Sequence, residues 1–250
     1  MVSSACEKLF NRRMTPSEGE DMEGLSRRYE FISRLCGSLD NEVFLVEEKA
    51  TGTRYLLKAL RRDATGPGVR IDRKLRFRRE MELVSALDHQ HIAAPVTTYS
   101  SETAYAIVYP SQPGRTLSEI LEKGPSLPPR ETLTVVAQLL SALEHVHGRG
   151  IIHCDIAPHN IFIADQGGVL LLDFGLALWE EQAAALPEGR VLGTLPYLSP
   201  EQMGVTDSKI DSRSDLFCVG VILYRLLVGE LPFPLKENSG AEPQPKNSTR

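Results

Sequence analysis

No two cysteines of this chain are spaced as a pair. The four present, Cys6, Cys36, Cys154 and Cys218, are scattered through 250 residues without a CxxC. That excludes a disulfide framework and a cysteine zinc site, and it points to a reducing compartment. Long apolar runs are also missing. The most apolar stretch, 216–228, is too short to span a bilayer and is broken by Arg225. The N-terminus has no apolar signal core, so a cytoplasmic chain with no membrane segment is expected. Basic charge is not in excess either: 28 Lys and Arg against 33 Asp and Glu leave −5, which argues against nonspecific nucleic-acid binding. No internal repeat is present. The remainder is ordinary for a soluble globular protein, with 42% hydrophobic and 24% charged residues. The length suits one large domain or two small lobes with a real core.

Strand patterns come first and helical patterns later. Residues 1–28 are mostly polar with no clear period, and a loose, disordered leader is expected there. Strands are expected over 29–35, 42–48, 53–60, 97–99 and 104–109, with a turn at Ala50-Thr51-Gly52 and one helix over 73–87. Beyond Gly114 the chain turns helical. Thr116-Leu117-Ser118-Glu119 fits a capping box opening a short helix that stops near Gly124. Pro128-Pro129 starts the next, over 130–147, and a last helix over 214–228 is closed by Gly229 and Pro232. The tail, 236–250, has no aromatic residue and is expected to be disordered.

The segment 153–175 reads HCDIAPHNIFIADQGGVLLLDFG. Two apolar runs flank Asp165-Gln166-Gly167-Gly168, a hairpin pattern. A hairpin brings its outer ends together, so Asp155 and Asn160 before it should converge with Asp173 after it. Two carboxylates and an amide at one point suit Mg²⁺, which takes oxygen ligands and shares them with phosphates. Upstream, Phe77, Met81, Val84 and Leu87 recur at helical spacing, and Glu80 projects from that same apolar face. A charge there is costly unless it is paired. Glu82 lies off the stripe. Lys58, a lone cation in an apolar strand, faces either solvent or a partner.

His-Cys-Asp-x-x-x-x-Asn followed by Asp-Phe-Gly resembles the catalytic and metal-binding loops of the eukaryotic-like serine/threonine protein kinase family. Tyr-Leu-Leu-Lys, ending at Lys58, resembles that family's third-strand motif. The resemblance covers about 29–233 and implies an α+β, bilobal protein-kinase-like fold. A small antiparallel β-sheet lobe with one helix would occupy 29–112. A mainly helical lobe, incomplete at its C-terminus, would occupy 113–235. It also implies roles. Asp155 would orient a protein hydroxyl and accept its proton, Asn160 and Asp173 would hold Mg²⁺, and Lys58, fixed by Glu80, would hold the phosphates of ATP. Val43 would cover the nucleotide, together with a loop in which Cys36, Ser38 and Asn41 stand where the family has glycines and Gly37 is out of phase. Tyr109 would back the adenine pocket, with Pro110, Ser111 and Gln112 as the connector whose backbone binds adenine. Thr194, in the substrate-side loop 193–201, would lie beside Asp155. Asp215 and Gly220 would anchor the catalytic loop.

The departures matter as much. Cys154 replaces the family's arginine and Ala157 its lysine, with His159 nearby as a partial substitute; slower turnover is expected from the lost charge. That arginine ordinarily meets a phosphate on the activation loop, and 176–192 contains no Ser, Thr or Tyr, so loop phosphorylation is not expected to be the switch. The partner of Glu201 would lie beyond the chain, leaving an apolar flank for further domains of a longer parent or for a dimer partner. The expected function is transfer of the ATP γ-phosphate to a protein substrate. The alternative is a pseudokinase, a nucleotide-binding or scaffold module without useful turnover.

Overall fold

The computed structural model describes residues 22–37, 40–60, 67–101, 104–124, 127–186 and 191–233. The expected leader over 1–21, Ser38 and the expected tail over 236–250 lie outside the described residues. Five strands, β1 (Tyr29–Gly37), β2 (Asn41–Glu48), β3 (Arg54–Leu60), β4 (Thr97–Ser100) and β5 (Tyr105–Pro110), form one antiparallel sheet in the order β1-β2-β3-β5-β4. The register sets Val43 opposite Lys58, and Lys58 opposite Ile107.

Two boundaries differ from expectation. Part of the supposed loose leader is helix α1 (Met22–Arg28). Leu25 is buried against the sheet beside Tyr29, Val46 and Val108, while Arg28 pairs with Glu48 at 2.8 Å. One apolar residue and one ion pair were too little signal for periodicity to register. Helix α2 (Pro67–Ala86) begins six residues before the expected start at Arg73. Proline suits a first helical position, but the glycine after it is a poor helix former, which conceals the start.

Beyond the sheet come β6 (Gly114–Thr116), α3 (Leu117–Lys123), α4 (Pro129–His147), β7 (Ile151–Ile152), the hairpin β8 (Ile161–Ala164) and β9 (Val169–Leu171), β10 (Leu178–Trp179), α5 (Glu180–Ala184) and α6 (Ser212–Val228). The capping box is present: Thr116 Oγ1 accepts from the Glu119 amide while the Glu119 carboxylate accepts from Thr116. In the hairpin turn, Gly167 and Gly168 have φ of 87° and 101°, a region that penalises any residue with a Cβ. Helix α6 starts at Ser212 because Asp211 caps it, accepting from the Arg213 amide; Gly229 closes it with φ of 89°.

Helix α4 buries Val135, Leu139, Ala142, Leu143 and Val146 along one face. These meet Phe77, Met81 and Val84 of α2 with Leu87 just past its end, Ile156, Ile161 and Leu171, and Val219, Ile222 and Leu226 of α6 in one apolar cluster. The core therefore runs without a break from α2 to α6, and the polar site lies on top of it. An apolar flank is open to solvent at Leu216, Tyr224, Leu227 and Val228 of α6 and at Leu133 of α4. No helix among the described residues is long and apolar enough to cross a membrane.

Candidate active site

Ile161 pairs with Leu171 in the hairpin, and the Leu172 amide donates to the Asn160 carbonyl at 2.8 Å. Asn160 and Asp173 are thereby brought to the same end. Asn160 Nδ2 donates to both the carbonyl and the carboxylate of Asp155, each at 2.9 Å. That closes the loop between them into a fixed turn. The other oxygen, Asp155 Oδ1, accepts from Thr194 Oγ1 at 2.6 Å, and the His159 ring lies 3.7 Å from Oδ2. Burial works to raise the Asp155 carboxyl, but the bonds from His159 and Thr194 outweigh it and hold the group below the usual carboxylate range.

Lys58 does not face solvent. Its Nζ lies 2.6 Å from Glu80 Oε1 and 2.8 Å from Asp173 Oδ1. Burial opposes the charge on Lys58, but the two carboxylates keep the ammonium protonated. Glu80 is 1% exposed; burial pushes its carboxyl up to about 7, against the pull of Lys58. Glu82, off the apolar stripe, is exposed. Asp173 Oδ1 also accepts from the Gly175 amide at 3.0 Å. The Asp173 side chain is 44% exposed. A part-exposed carboxylate at the same end of the hairpin as Asn160 fits Mg²⁺, which needs one or two protein ligands and completes its shell with phosphate and water.

Beneath these groups is a buried scaffold. Asp215 accepts from the His153 and Cys154 amides, both at 2.9 Å, and its Oδ2 lies 2.8 Å from His147 Nε2. Cys154 has φ of 64°, unfavourable for a side chain with a Cβ, so Asp215 holds a strained turn in place. The Cys154 thiol is fully buried and its pKa is pushed up by that burial. It puts no cation where the family has arginine. Ala157 is likewise buried in the core. Gly220, expected as a second anchor, instead lies exposed on α6 with no atom near an added Cβ. Five residues turn a helix by roughly 140° beyond a full circle, which takes Gly220 off the face of Asp215.

Gln202 was not foreseen. Fully buried, its amide donates to the Cys154 carbonyl at 2.7 Å and the Leu192 carbonyl at 3.0 Å, and accepts from the Ser199 amide at 3.1 Å. It joins the loop of Asp155 to the loop of Thr194. A glutamine following Ser-Pro-Glu gave no periodic or compositional signal. At Gly193, with φ of 117°, an added Cβ would stand 2.7 Å from the Cys154 carbonyl oxygen, so only glycine lets these loops touch. Glu201 has a partner within the chain, Ser214 Oγ at 2.6 Å.

On the other side of Lys58, Cys36 pairs with Val43 in the β1–β2 ladder and Asn41 pairs with Leu60. Among the described residues only Cys154 and Asp173 combine a side chain with positive φ. Cys36 and Asn41, which stand where the family has glycines, are therefore in ordinary extended strand. Asp40 is tied to Arg73 of α2 at 2.6 Å. In the connector, Tyr109 is half-buried, Pro110 pairs with Tyr55, and the Ser111 amide reaches back to the Arg54 carbonyl at 3.4 Å.

Comparison with known proteins agrees with this arrangement. The protein kinase domain family matches residues 38–248. The chain is 34% identical over 209 residues to the serine/threonine-protein kinase PrkC of Bacillus subtilis, covering 84% of this chain and 32% of that protein. It is 37% identical over 222 residues to the kinase pkn2 of Myxococcus xanthus, covering 86% and 26%. With the kinase PknB of Mycobacterium leprae it shares 36% over 215 residues, covering 84% and 34%. The chain thus spans about a third or less of the length of these curated relatives. On the family match and on the convergence of Lys58, Glu80, Asp155, Asn160 and Asp173, the chain belongs to the protein kinase domain family.

Proposed function

We propose that this chain is an ATP-dependent protein serine/threonine kinase. The observation that carries the reading is the Lys58 ammonium, buried and shared between Glu80 at 2.6 Å and Asp173 at 2.8 Å. A desolvated cation held between two carboxylates suits the α- and β-phosphates of ATP. Adenine would lie under Val43 and against the connector, where Pro110 has no N–H and the Ser111 amide is engaged, leaving the Gln112 amide as the donor. Cys36, Gly37, Ser38 and Asn41 would border the phosphates. Mg²⁺, held by Asp173 and Asn160, would neutralise the β- and γ-oxygens.

The acceptor hydroxyl would take the place beside Asp155 Oδ1 that Thr194 Oγ1 holds at 2.6 Å. Its oxygen bonds to the γ-phosphorus as the bond from that phosphorus to the bridging oxygen breaks; Asp155 receives the proton and ADP departs. Asp155 sits low enough in pKa to be ionised and ready. The transferring group also needs positive charge. With Ala157 uncharged and buried, His159, 3.7 Å from Asp155 Oδ2, would partly substitute by donating an N–H there. One donor fewer costs about 10²–10³ in rate, so turnover should fall below the roughly 1–100 s⁻¹ usual for kinases. Phosphorylation of 176–192 would not control it, since that stretch has no acceptor. The sheet over 29–112 would act as the nucleotide-holding lobe and 113–235 as the substrate lobe.

Transfer is tested by incubating the chain and a generic basic protein with labelled Mg-ATP, beside Asp155→Asn. Label in the wild-type reaction alone is expected. A folded chain that transfers nothing would overturn the reading in favour of a pseudokinase.

A further inference from the structure

Along α2 lies a cavity of about 460 Å³, within the range of small-molecule sites. Leu83 of α2, Leu87 just past its end and Ile151 of β7 are buried along it, and Trp179 of β10, 38% exposed, stands at its edge. Two guanidiniums, Arg79 and Arg149, share the lining with a single carboxylate, that of the exposed Glu82. Arg149 spends one N–H on the His145 carbonyl at 3.0 Å. Arg79, half-buried, makes no hydrogen bond or ion pair with any described residue, not even with Glu82 one turn along.

An unpaired guanidinium against an apolar wall is complementary to a molecule with an apolar body and one negative end. We propose that this cleft binds a small amphipathic carboxylate, an aryl- or alkyl-carboxylic acid, with its carboxylate on Arg79 and its apolar body against Leu83, Leu87, Ile151 and Trp179. The volume suits a small acid, and the excess of guanidinium over carboxylate sets its charge.

The position gives the site a consequence, one that rests on the kinase reading. Arg79 directly precedes Glu80, which pairs with Lys58. Ile151 lies two residues before His153, and Trp179 six after Asp173. Helix α2, the catalytic loop and the Asp173 loop all contribute a wall. An acid seated there braces α2 against both loops and changes the population in which Glu80 meets Lys58.

Trp179 is the only tryptophan in the chain, so its fluorescence reports on this cleft alone. The full chain is titrated with 4-phenylbutyrate and, separately, with its neutral amide. A saturable change in emission is expected with the acid. The amide, and the acid on Arg79→Ala, should bind at least about tenfold more weakly, the loss of one charge-assisted contact. Equilibrium dialysis of the acid against wild type and Leu83→Asp detects binding that leaves emission unchanged. No saturable binding by either method overturns the proposal, as does an amide that binds equally well or an Arg79→Ala chain that binds normally. Phosphate transfer is measured with and without saturating acid. A chain that binds the acid yet transfers nothing keeps the site and loses only the kinase reading.

Discussion

The loop around Asp155 and the edge formed by Cys36, Gly37, Asp40 and Asn41 stand on opposite sides of Lys58, and they are held by different means. Around Asp155, buried groups do the holding: Asp215 on two amides and His147, Gln202 on two carbonyls and an amide, Asn160 on Asp155 itself. At the other edge the ties are strand pairing and ion pairs open to water, Asp40 with Arg73 at 2.6 Å and Glu42 with Arg34 at 3.3 Å. Buried polar groups are expensive to leave unpaired, whereas exposed ion pairs contribute little. The difference teaches that the atoms that would do chemistry are held by buried hydrogen bonds, whereas the edge that would border the nucleotide is tied in part by ion pairs within reach of water.

The comparison is broken most severely at Asp155. Asp155→Asn should lower phosphate transfer by about 10²–10⁴-fold while thermal unfolding stays within a few degrees of wild type, since the amide is nearly isosteric. Loss of both activity and fold would mean that the carboxylate is structural.

Asp215→Ala comes next. Two buried amides and His147 lose their acceptor, at a cost of about 3 kcal/mol or more. A thermal midpoint lower by roughly 10 °C is expected. An unchanged midpoint would show that the Asp155 loop is held no better than the opposite edge.

His159→Ala should reduce turnover by about 10²-fold and leave the KM for ATP near wild type, with His159→Arg recovering much of the loss. A rise in KM alone would place His159 with nucleotide binding instead of transfer.

Smallest are the changes at the far edge. Asp40→Ala should cost no more than about 1 kcal/mol in a urea unfolding curve. Cys36→Gly should cost about 0.5–1 kcal/mol from backbone entropy without tightening ATP, because residue 36 already has an ordinary strand conformation. A large gain in ATP affinity would show that the absent glycine is what weakens the edge.

Much of this was legible in one dimension. The hairpin 161–171 declared itself by two apolar runs and a Gly-Gly turn. The stripe Phe77, Met81, Val84, Leu87 marked Glu80 as a charge in need of a partner. The capping box at Thr116 needed four residues. Gln202, His147 and the Glu201–Ser214 bond escaped, because each acts between segments remote in sequence and none has a periodic pattern. Gly220 was misplaced because a motif fixes spacing along the chain and not the face on which a residue emerges. The start of α2 at Pro67 and the helix at 22–28 escaped because short or glycine-bearing turns carry little periodic signal.

By itself the sequence determined the order of strands and helices and the side chains that would converge at the ends of the hairpin. Those depend on local periodicity and turn chemistry, which act over a few residues. Only the tertiary structure decided that Lys58 is shared by Glu80 and Asp173, that Asp215 and Gln202 secure the Asp155 loop, that Cys36 sits without strain, and that Arg79, unpaired among the described residues, borders an apolar cleft. Each of these is a matter of burial and of distances between remote segments, and both come into being only when the chain packs.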